Sequence, residues 1–371
     1  MSDPLPPLAA IPPDVAALAD YEPLARERMT PSAWAYFSGG AGDEWTLGEN
    51  VAAFARHRLR PRVLRDLKGG GTGITLFGAD LAAPILLAPV AFQKLLNPDG
   101  ELATVMAAGA LDTAMVVSTQ ASVRIEDIAA HASAPLWFQL YIQPDRAFTA
   151  DLVRRAEAAG YKALVVTVDA PVNGLRNREQ RAGFALPPGI GPVNLAGMQP
   201  PPPSPRGALL FGTPLLDLAP TWADLAWLRG LTRLPIILKG ITDPDDASRT
   251  VEAGMDGLIV SNHGGRTLDG VPAGIDLLPP IATAVDGAIP VLMDGGIRRG
   301  TDVLRALALG AKAVLIGRPY IFALAAAGAP GVAHVIRILR AELELAMALT
   351  GCRDIASIDR SVLNPPDGVA R

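Results

Sequence analysis

Cysteine is almost missing: the 371-residue chain has one, Cys352. A lone thiol cannot form an intramolecular disulfide or a thiolate metal cluster, so no metal centre of that kind is expected, and a reducing, cytoplasmic compartment is. Histidine is scarce too, with four: His57, His131, His263 and His334. Charged residues make up only 19% and the formal net charge is −4, which argues against a nucleic-acid partner, since that would favour a basic face. The chain begins Met-Ser-Asp-Pro-Leu-Pro-Pro, without the basic-then-apolar order of a secretory leader. Its longest uncharged stretches, near Pro187–Pro205 and Pro319–Ile336, are broken by Pro and Gly, so neither a transmembrane helix nor a membrane partner is expected. Apolar residues, by contrast, are plentiful at 50%, enough to fill two ordinary domains or one large barrel.

The middle of the chain repeats one rhythm: a short apolar run, a polar or Gly-rich turn, then an amphipathic helical segment. The runs are Pro84–Ala88, Ala114–Ser118, Leu136–Tyr141, Ala163–Val168, Pro235–Lys239, Gly257–Ser261, Pro290–Met293 and Ala313–Ile316. They are continuous rather than alternating, as strands buried on both faces should be. Segments such as Asp145–Ala159, Asp243–Ala253 and Gly300–Leu309 have helical periodicity. Eight such units predict an α/β fold, a (β/α)8 TIM barrel; an open, doubly wound sheet is the alternative, because rhythm does not prove closure. Residues 1–14 read as a loose Pro-rich arm and residues 15–365 as a single barrel domain. Within it, 15–83 form a helical preface with a short hairpin, and 170–221 form a long insertion after the fourth strand, with a polyproline run at Pro200–Pro203. A loop of that length reads as a lid.

Barrels carry their chemistry at the C-terminal ends of the strands. The eight ends read Pro89-Val90-Ala91, Ser118-Thr119-Gln120, Gln139 with Tyr141, Thr167 with Asp169, Lys239-Gly240, Ser261 through Arg266, Asp294 through Arg298, and Gly317-Arg318. In the last two, Gly295, Gly296 and Gly317 let backbone N–H groups approach an anion, and Arg298 and Arg318 add guanidinium forks. His263 is the only histidine at a strand end and the natural general base, with Arg266 three residues on to hold a carboxylate. Asp169 could orient the imidazole; the plain alternative is a helix N-cap ahead of Pro171. Lys239 follows four apolar residues and suits a buried negative charge on a cofactor. Tyr141 could donate to a developing oxyanion, or be only a rim aromatic. The residues supply no hydride acceptor, so an oxidation requires a bound cofactor.

At Ser261-Asn262-His263-Gly264-Gly265-Arg266, together with Asp294–Arg298 and Gly317-Arg318, the chain resembles the FMN-dependent 2-hydroxy-acid oxidases and dehydrogenases. Phe37-Ser38-Gly39-Gly40-Ala41, Glu44-Trp45-Thr46, Phe138-Gln139-Leu140-Tyr141 and Thr167-Val168-Asp169 extend the resemblance from about Tyr21 to about Ile358. It implies FMN as cofactor, a small 2-hydroxy acid as substrate and a homotetramer. It implies His263 as base with Asp169 as partner, Tyr36 and Arg266 on the substrate carboxylate with Arg176 close by, and Tyr141 on the substrate hydroxyl. Lys239 falls beside the flavin N1–C2 edge. Pro89, Val90, Ala91, Ser118, Gln139, Thr167 and Ser261 line the ring. Asp294 meets the ribityl chain, and Gly295, Gly296, Arg298, Gly317 and Arg318 hold the phosphate.

Departures from the family pattern bear on the substrate. Gln120 stands where many members carry an aromatic facing the substrate, Val90 replaces a common Thr, and Val172-Asn173-Gly174 resembles the mandelate-type version. A larger C2 substituent than that of glycolate is therefore expected. Molecular oxygen is the expected acceptor, giving hydrogen peroxide. A dehydrogenase using a quinone or other acceptor, and a non-enzymatic flavin-binding barrel, are the alternatives. Hydride and carbanion routes both remain open.

Overall fold

The structure, a computed structural model, describes residues 4–199, 201–204 and 209–364. Residues 1–3 of the expected arm, Pro200 of the polyproline run, residues 205–208 of the insertion and the expected domain end at 365 lie outside the described residues.

Ten strands form. β1 (Ile74–Leu76) and β2 (Ala79–Leu81) make an antiparallel hairpin. The other eight are β3 (Ile85–Leu87), β4 (Met115–Ser118), β5 (Leu136–Leu140), β6 (Ala163–Thr167), β7 (Ile236–Ile241), β8 (Gly257–Val260), β9 (Val291–Asp294) and β10 (Ala313–Ile316). All eight pair in parallel, and β10 hydrogen-bonds both β9 and β3. That last pairing closes the barrel and removes the open-sheet alternative. The boundaries lie close to the expected ones; β7 runs on to Ile241, with a register shift after Lys239. Helices follow the strands as the periodicity predicts: Arg146–Ala158, Pro244–Glu252 and Gly300–Ala308 among them. Asp145 and Asp243 cap the first two, accepting from Phe148 N at 2.9 Å and Asp245 N at 2.8 Å.

Successive side chains of a strand point to opposite faces, and the closed sheet turns this into two cores. Ile85, Leu87, Met115, Val117, Phe138, Leu164, Val166 and Leu238 face outward under the helices. Leu86, Val116, Trp137, Val165, Ile237, Ile259, Leu292 and Leu315 fill the interior. Leu76 and Leu81 of the hairpin join this interior cluster, with Ile74 and Phe77 packed against it. The Phe77 ring meets Trp137 edge-on at 5.4 Å. The hairpin is thus a plug in the barrel's N-terminal end, a role that its sequence did not announce.

The preface helices Tyr21–Arg26, Pro31–Ser38 and Trp45–Ala52 reach the other end, where Ala41 N donates to Gly265 O at 2.7 Å. The Pro-rich arm is tied at Leu5, whose N–H donates to Glu27 O at 3.0 Å, and at Leu8, whose N–H donates to Ala326 O at 2.8 Å. Residues 170–221 carry the short helices Asn177–Arg181 and Pro214–Asp217 and a 3-10 turn at Val193–Leu195. The helix Arg318–Thr350 is long and apolar enough to cross a membrane, but 67% of its most apolar window is buried within the fold. Non-helical torsions at Ala327 and Gly328 interrupt it, so core packing accounts for its composition.

The plug sits tightly. A Cβ at Gly257 would come within 2.7 Å of Phe77 Cζ. Gly257→Ala should therefore lower stability in urea unfolding by about 1–3 kcal/mol, the usual cost of overpacking. Adding Phe77→Leu should recover part of that loss, as expected of two residues in contact.

Candidate active site

Carrying the inward-facing alternation one residue past the apolar interior gives Ser118, Gln139, Thr167, Lys239, Ser261 and Asp294. All six are buried. They form a polar layer above the hydrocarbon, in two hydrogen-bonded groups of three. Ser118 Oγ donates to Gln139 Oε1 at 3.3 Å, and Gln139 Nε2 donates to Thr167 Oγ1 at 3.0 Å. Lys239 Nζ lies 2.9 Å from Asp294 Oδ2 and donates to Ser261 Oγ at 2.9 Å. Burial works against the Lys239 charge, but Asp294 and then Asp169 outweigh it and hold its pKa above the ordinary value. Ser261 is fully buried behind Lys239 and does not reach the cleft wall; its Oγ also accepts from His263 N at 3.1 Å.

Above this layer a cleft opens, lined by Tyr36, Pro89, Val90, Ala91, Gln120, Tyr141, Arg176, His263, Arg266 and the loops after β9 and β10. The other expected site residues line it as well, apart from Asp169 and Ser261, which support it through His263 and Lys239. His263 has φ of +58°, followed by Gly264 and Gly265 in the same left-handed region. Such a turn costs a non-glycine residue about 1–3 kcal/mol and is tolerated where the surroundings impose it. Here it brings the imidazole Nδ1 to 2.8 Å from Asp169 Oδ1. Burial opposes the Asp169 charge, but His263 and then Lys239 prevail, so its pKa lies below the usual carboxylate range. An ionised Asp169 accepts from Nδ1–H, which leaves Nε2 as the basic nitrogen. No N-cap role is needed for Asp169. The other histidines hold structural contacts, at Asp276 for His57, Asp127 O for His131 and Tyr21 Oη for His334.

Positive charge is in excess here. Arg266 Nη1 donates to Tyr36 O at 2.7 Å and Gly39 O at 2.9 Å. Arg318 donates to the carbonyls of Phe37, Gly264 and Gly39, and Arg298 Nη1 to that of Ile297. None of the three forms an ion pair among the described residues. Burial lowers the pKa of each below the ordinary arginine value, and Arg318 is lowered further by Arg266 and Arg298. The Tyr36 ring lies under two cations, with Arg266 Cζ at 5.1 Å and Arg176 Cζ at 5.8 Å from its centroid. A site so arranged suits two anions, one toward Arg298 and Arg318 and one toward Arg266.

The FMN-dependent dehydrogenase family matches residues 25–365. The chain belongs to that family. An L-lactate oxidase of Nostoc sp. is 49% identical over 355 residues, covering 94% of this chain and 97% of that one. Glycolate oxidase 1 of Oryza sativa subsp. indica is 42% identical, covering 96% and 98%. A solved structure of mandelate oxidase with benzoyl-formic acid has 43% identity and a TM-score of 0.85, covering 94% and 98%. The FMN-dependent dehydrogenase fold and cofactor are thus those expected from the motifs. The donor set fits FMN: a glycine cradle with paired arginines for a phosphate, and Asp294 Oδ1, buried without a partner among the described residues, for a hydroxyl.

Some functional residues carried no signal in the sequence. Asn50, in the preface, exchanges side-chain hydrogen bonds of 2.9 Å with Asn262 and touches the Gly295-Gly296 turn. Phe184, in the insertion, stacks on Tyr36 at 4.4 Å, and Glu179 pairs with Arg176 at 2.9 Å. These contacts join segments far apart in the chain.

Gly296 has φ of +81°, and a Cβ there would come within 1.8 Å of Asn50 O. Gly296→Ala should weaken FMN retention roughly tenfold or more, from strain of about 1–3 kcal/mol. The flavin-to-protein absorbance ratio after gel filtration checks this. Gly48→Ala, where a Cβ meets nothing within 4 Å, should keep its flavin.

Proposed function

We propose that the protein oxidises (S)-2-hydroxy acids to 2-oxo acids with FMN, molecular oxygen accepting the electrons and hydrogen peroxide being formed. The observation that carries this reading is the His263–Asp169 pair at 2.8 Å in one cleft with the unpaired Arg266. It combines a proton acceptor with a carboxylate anchor, which an α-hydroxy acid requires and a passive flavin carrier does not. The oxidase names of the lactate, glycolate and mandelate relatives support both the substrate class and the acceptor.

In this reading Arg266, with Tyr36 and Arg176, holds the substrate carboxylate. His263 Nε2 takes a proton from the substrate, and Asp169 stabilises the imidazolium that results. Burial, and then Asp169, raise the Tyr141 pKa, so its phenol stays protonated and can donate to the substrate oxygen. FMN, when bound, supplies the two-electron acceptor. Pro89, Val90, Ala91, Ser118, Gln139 and Thr167 hold the flat ring, and Ser261 acts from behind Lys239. Lys239 would set a positive charge against the ring, Asp294 would accept from a ribityl hydroxyl, and Gly295, Gly296, Arg298, Gly317 and Arg318 would hold the phosphate.

The finer points belong to the same proposal. Gln120 and Asn173 line the cleft and leave room for a C2 substituent larger than that of glycolate. A cytoplasmic location agrees with the buried, unpaired Cys352. A homotetramer would give the exposed Val63, Leu64, Leu345 and Leu349 something to cover them. The insertion 170–221 acts as a lid, with Phe184 and Arg176 on its inner side.

His263→Ala should keep FMN and slow anaerobic flavin reduction by about 10²–10⁴-fold, as for loss of a positioned base. A near wild-type rate removes His263 from the mechanism. Admitting air afterwards tests the acceptor: rapid return of the yellow colour with peroxide supports an oxidase, whereas dye reduction with little oxygen uptake supports the quinone-type alternative. In wild type, mandelate or medium-chain acids should exceed glycolate in kcat/KM, because each added methylene in an apolar pocket is worth a measurable factor. Gln120→Trp should move the preference toward glycolate and lactate; an unchanged ranking rules out position 120 as the determinant.

A further inference from the structure

A second cavity, of about 1550 Å³ counting the space open to solvent, lies beside the reaction cleft. Its walls come from the strand ends of β4–β7 and from the first and last parts of the insertion. Five residues line both cavities: Gln120, Tyr141, Thr167, Ala170 and Asn173. The partition is therefore one side chain thick. The Gln120 side chain has no hydrogen-bond partner among the described residues, and Asn173 Oδ1 accepts one bond of 3.3 Å, from Arg176 Nη2. Neither is locked in place.

Beyond the partition the walls are mixed: Ile142, Pro171, Val172, Leu215, Leu218 and Trp222 give an apolar stretch, and Gln143, Thr221 and Asp246 line the rest. Leu215 and Leu218, on the wall of this solvent-open space, are 48% and 39% exposed. Apolar surface left in water beside a reacting carbon favours an apolar occupant.

We propose that this chamber is a subsite for the tail of the substrate. The C2 substituent of a medium- or long-chain 2-hydroxy acid passes between Gln120 and Asn173 and lies against Leu215, Leu218 and Trp222. The acid head stays in the cleft. A methyl group, as in lactate, ends before the partition and gains nothing from the chamber. This inference rests on the function proposed above, and it assigns a selectivity role to the insertion's 214–222 stretch, which contributes nothing to the cleft wall itself.

The test is the holoenzyme with a series of unbranched (S)-2-hydroxy acids from lactate to 2-hydroxydodecanoate, with kcat/KM read by flavin reduction and oxygen uptake. In wild type, kcat/KM should climb by about two- to fourfold per methylene once the tail passes the partition, the value of burying one CH₂, and level off when the chamber is full. Ala219→Trp, which narrows the chamber, and Leu218→Asp, which puts a carboxylate on its apolar stretch, should both flatten the climb while lactate turnover stays within about twofold. Both residues line the chamber alone. A flat or falling series in wild type with good lactate turnover overturns the chamber and leaves the proposed function standing. A climb that survives in both variants likewise overturns it. If no acid of any length reduces the flavin, the proposed function fails first and the subsite with it.

Discussion

A strand must turn alternate side chains to opposite faces, and closing eight strands into a ring makes that alternation the organising constraint of this protein. One parity feeds the outer core under the helices. The other gives, from the bottom upward, the Phe77 plug, an aliphatic interior and the polar layer of Ser118, Gln139, Thr167, Lys239, Ser261 and Asp294. A one-residue slip in any of the six strands that supply that layer would turn its polar group toward the helices. The rigidity of the cleft floor therefore comes from the same packing that stabilises the fold.

Charge is distributed unevenly over this frame. Lys239 and Asp294 neutralise each other at 2.9 Å, a closed pair inside the floor. Among the described residues, Arg266, Arg298 and Arg318 donate their side-chain hydrogen bonds only to carbonyl oxygens. Desolvating three cations without counter-charge is unfavourable, and an arriving phosphate or carboxylate relieves that cost. Ligand binding and the stability of the upper barrel are thus coupled through the same guanidinium groups.

The sequence made some of this legible and concealed the rest. Continuous Val/Ile/Leu runs report strands buried on both faces, and glycine-arginine turns at their ends report an anion site; both signals are local. His263 stood out because it is the one histidine at a strand end. Asn50 gave no such signal: its partner Asn262 is 212 residues away, and a polar residue on a preface helix looks like ordinary solvated surface. Phe184 and Glu179 were hidden in the same way, because what they do depends on where the insertion folds back. The hairpin was expected, but its place inside the barrel follows only from closure. Ser261 shows the limit on the other side, since motif position put it on the wall and packing put it behind Lys239.

The Arg318 contacts also set an order of assembly. Its guanidinium spans to the carbonyls of Phe37 and Gly39, 281 and 279 residues earlier in the chain. Closing so long a loop costs entropy that no local contact repays, and such contacts slow folding. During synthesis the preface emerges early and must wait for almost the whole barrel before its carbonyls find their donor. A ribosome-bound fragment that ends before residue 318 has the phosphate-side glycines after β9 but lacks the arginine that ties the Gly264 turn to the preface. The carbonyls of the preface therefore find their donor only late in folding.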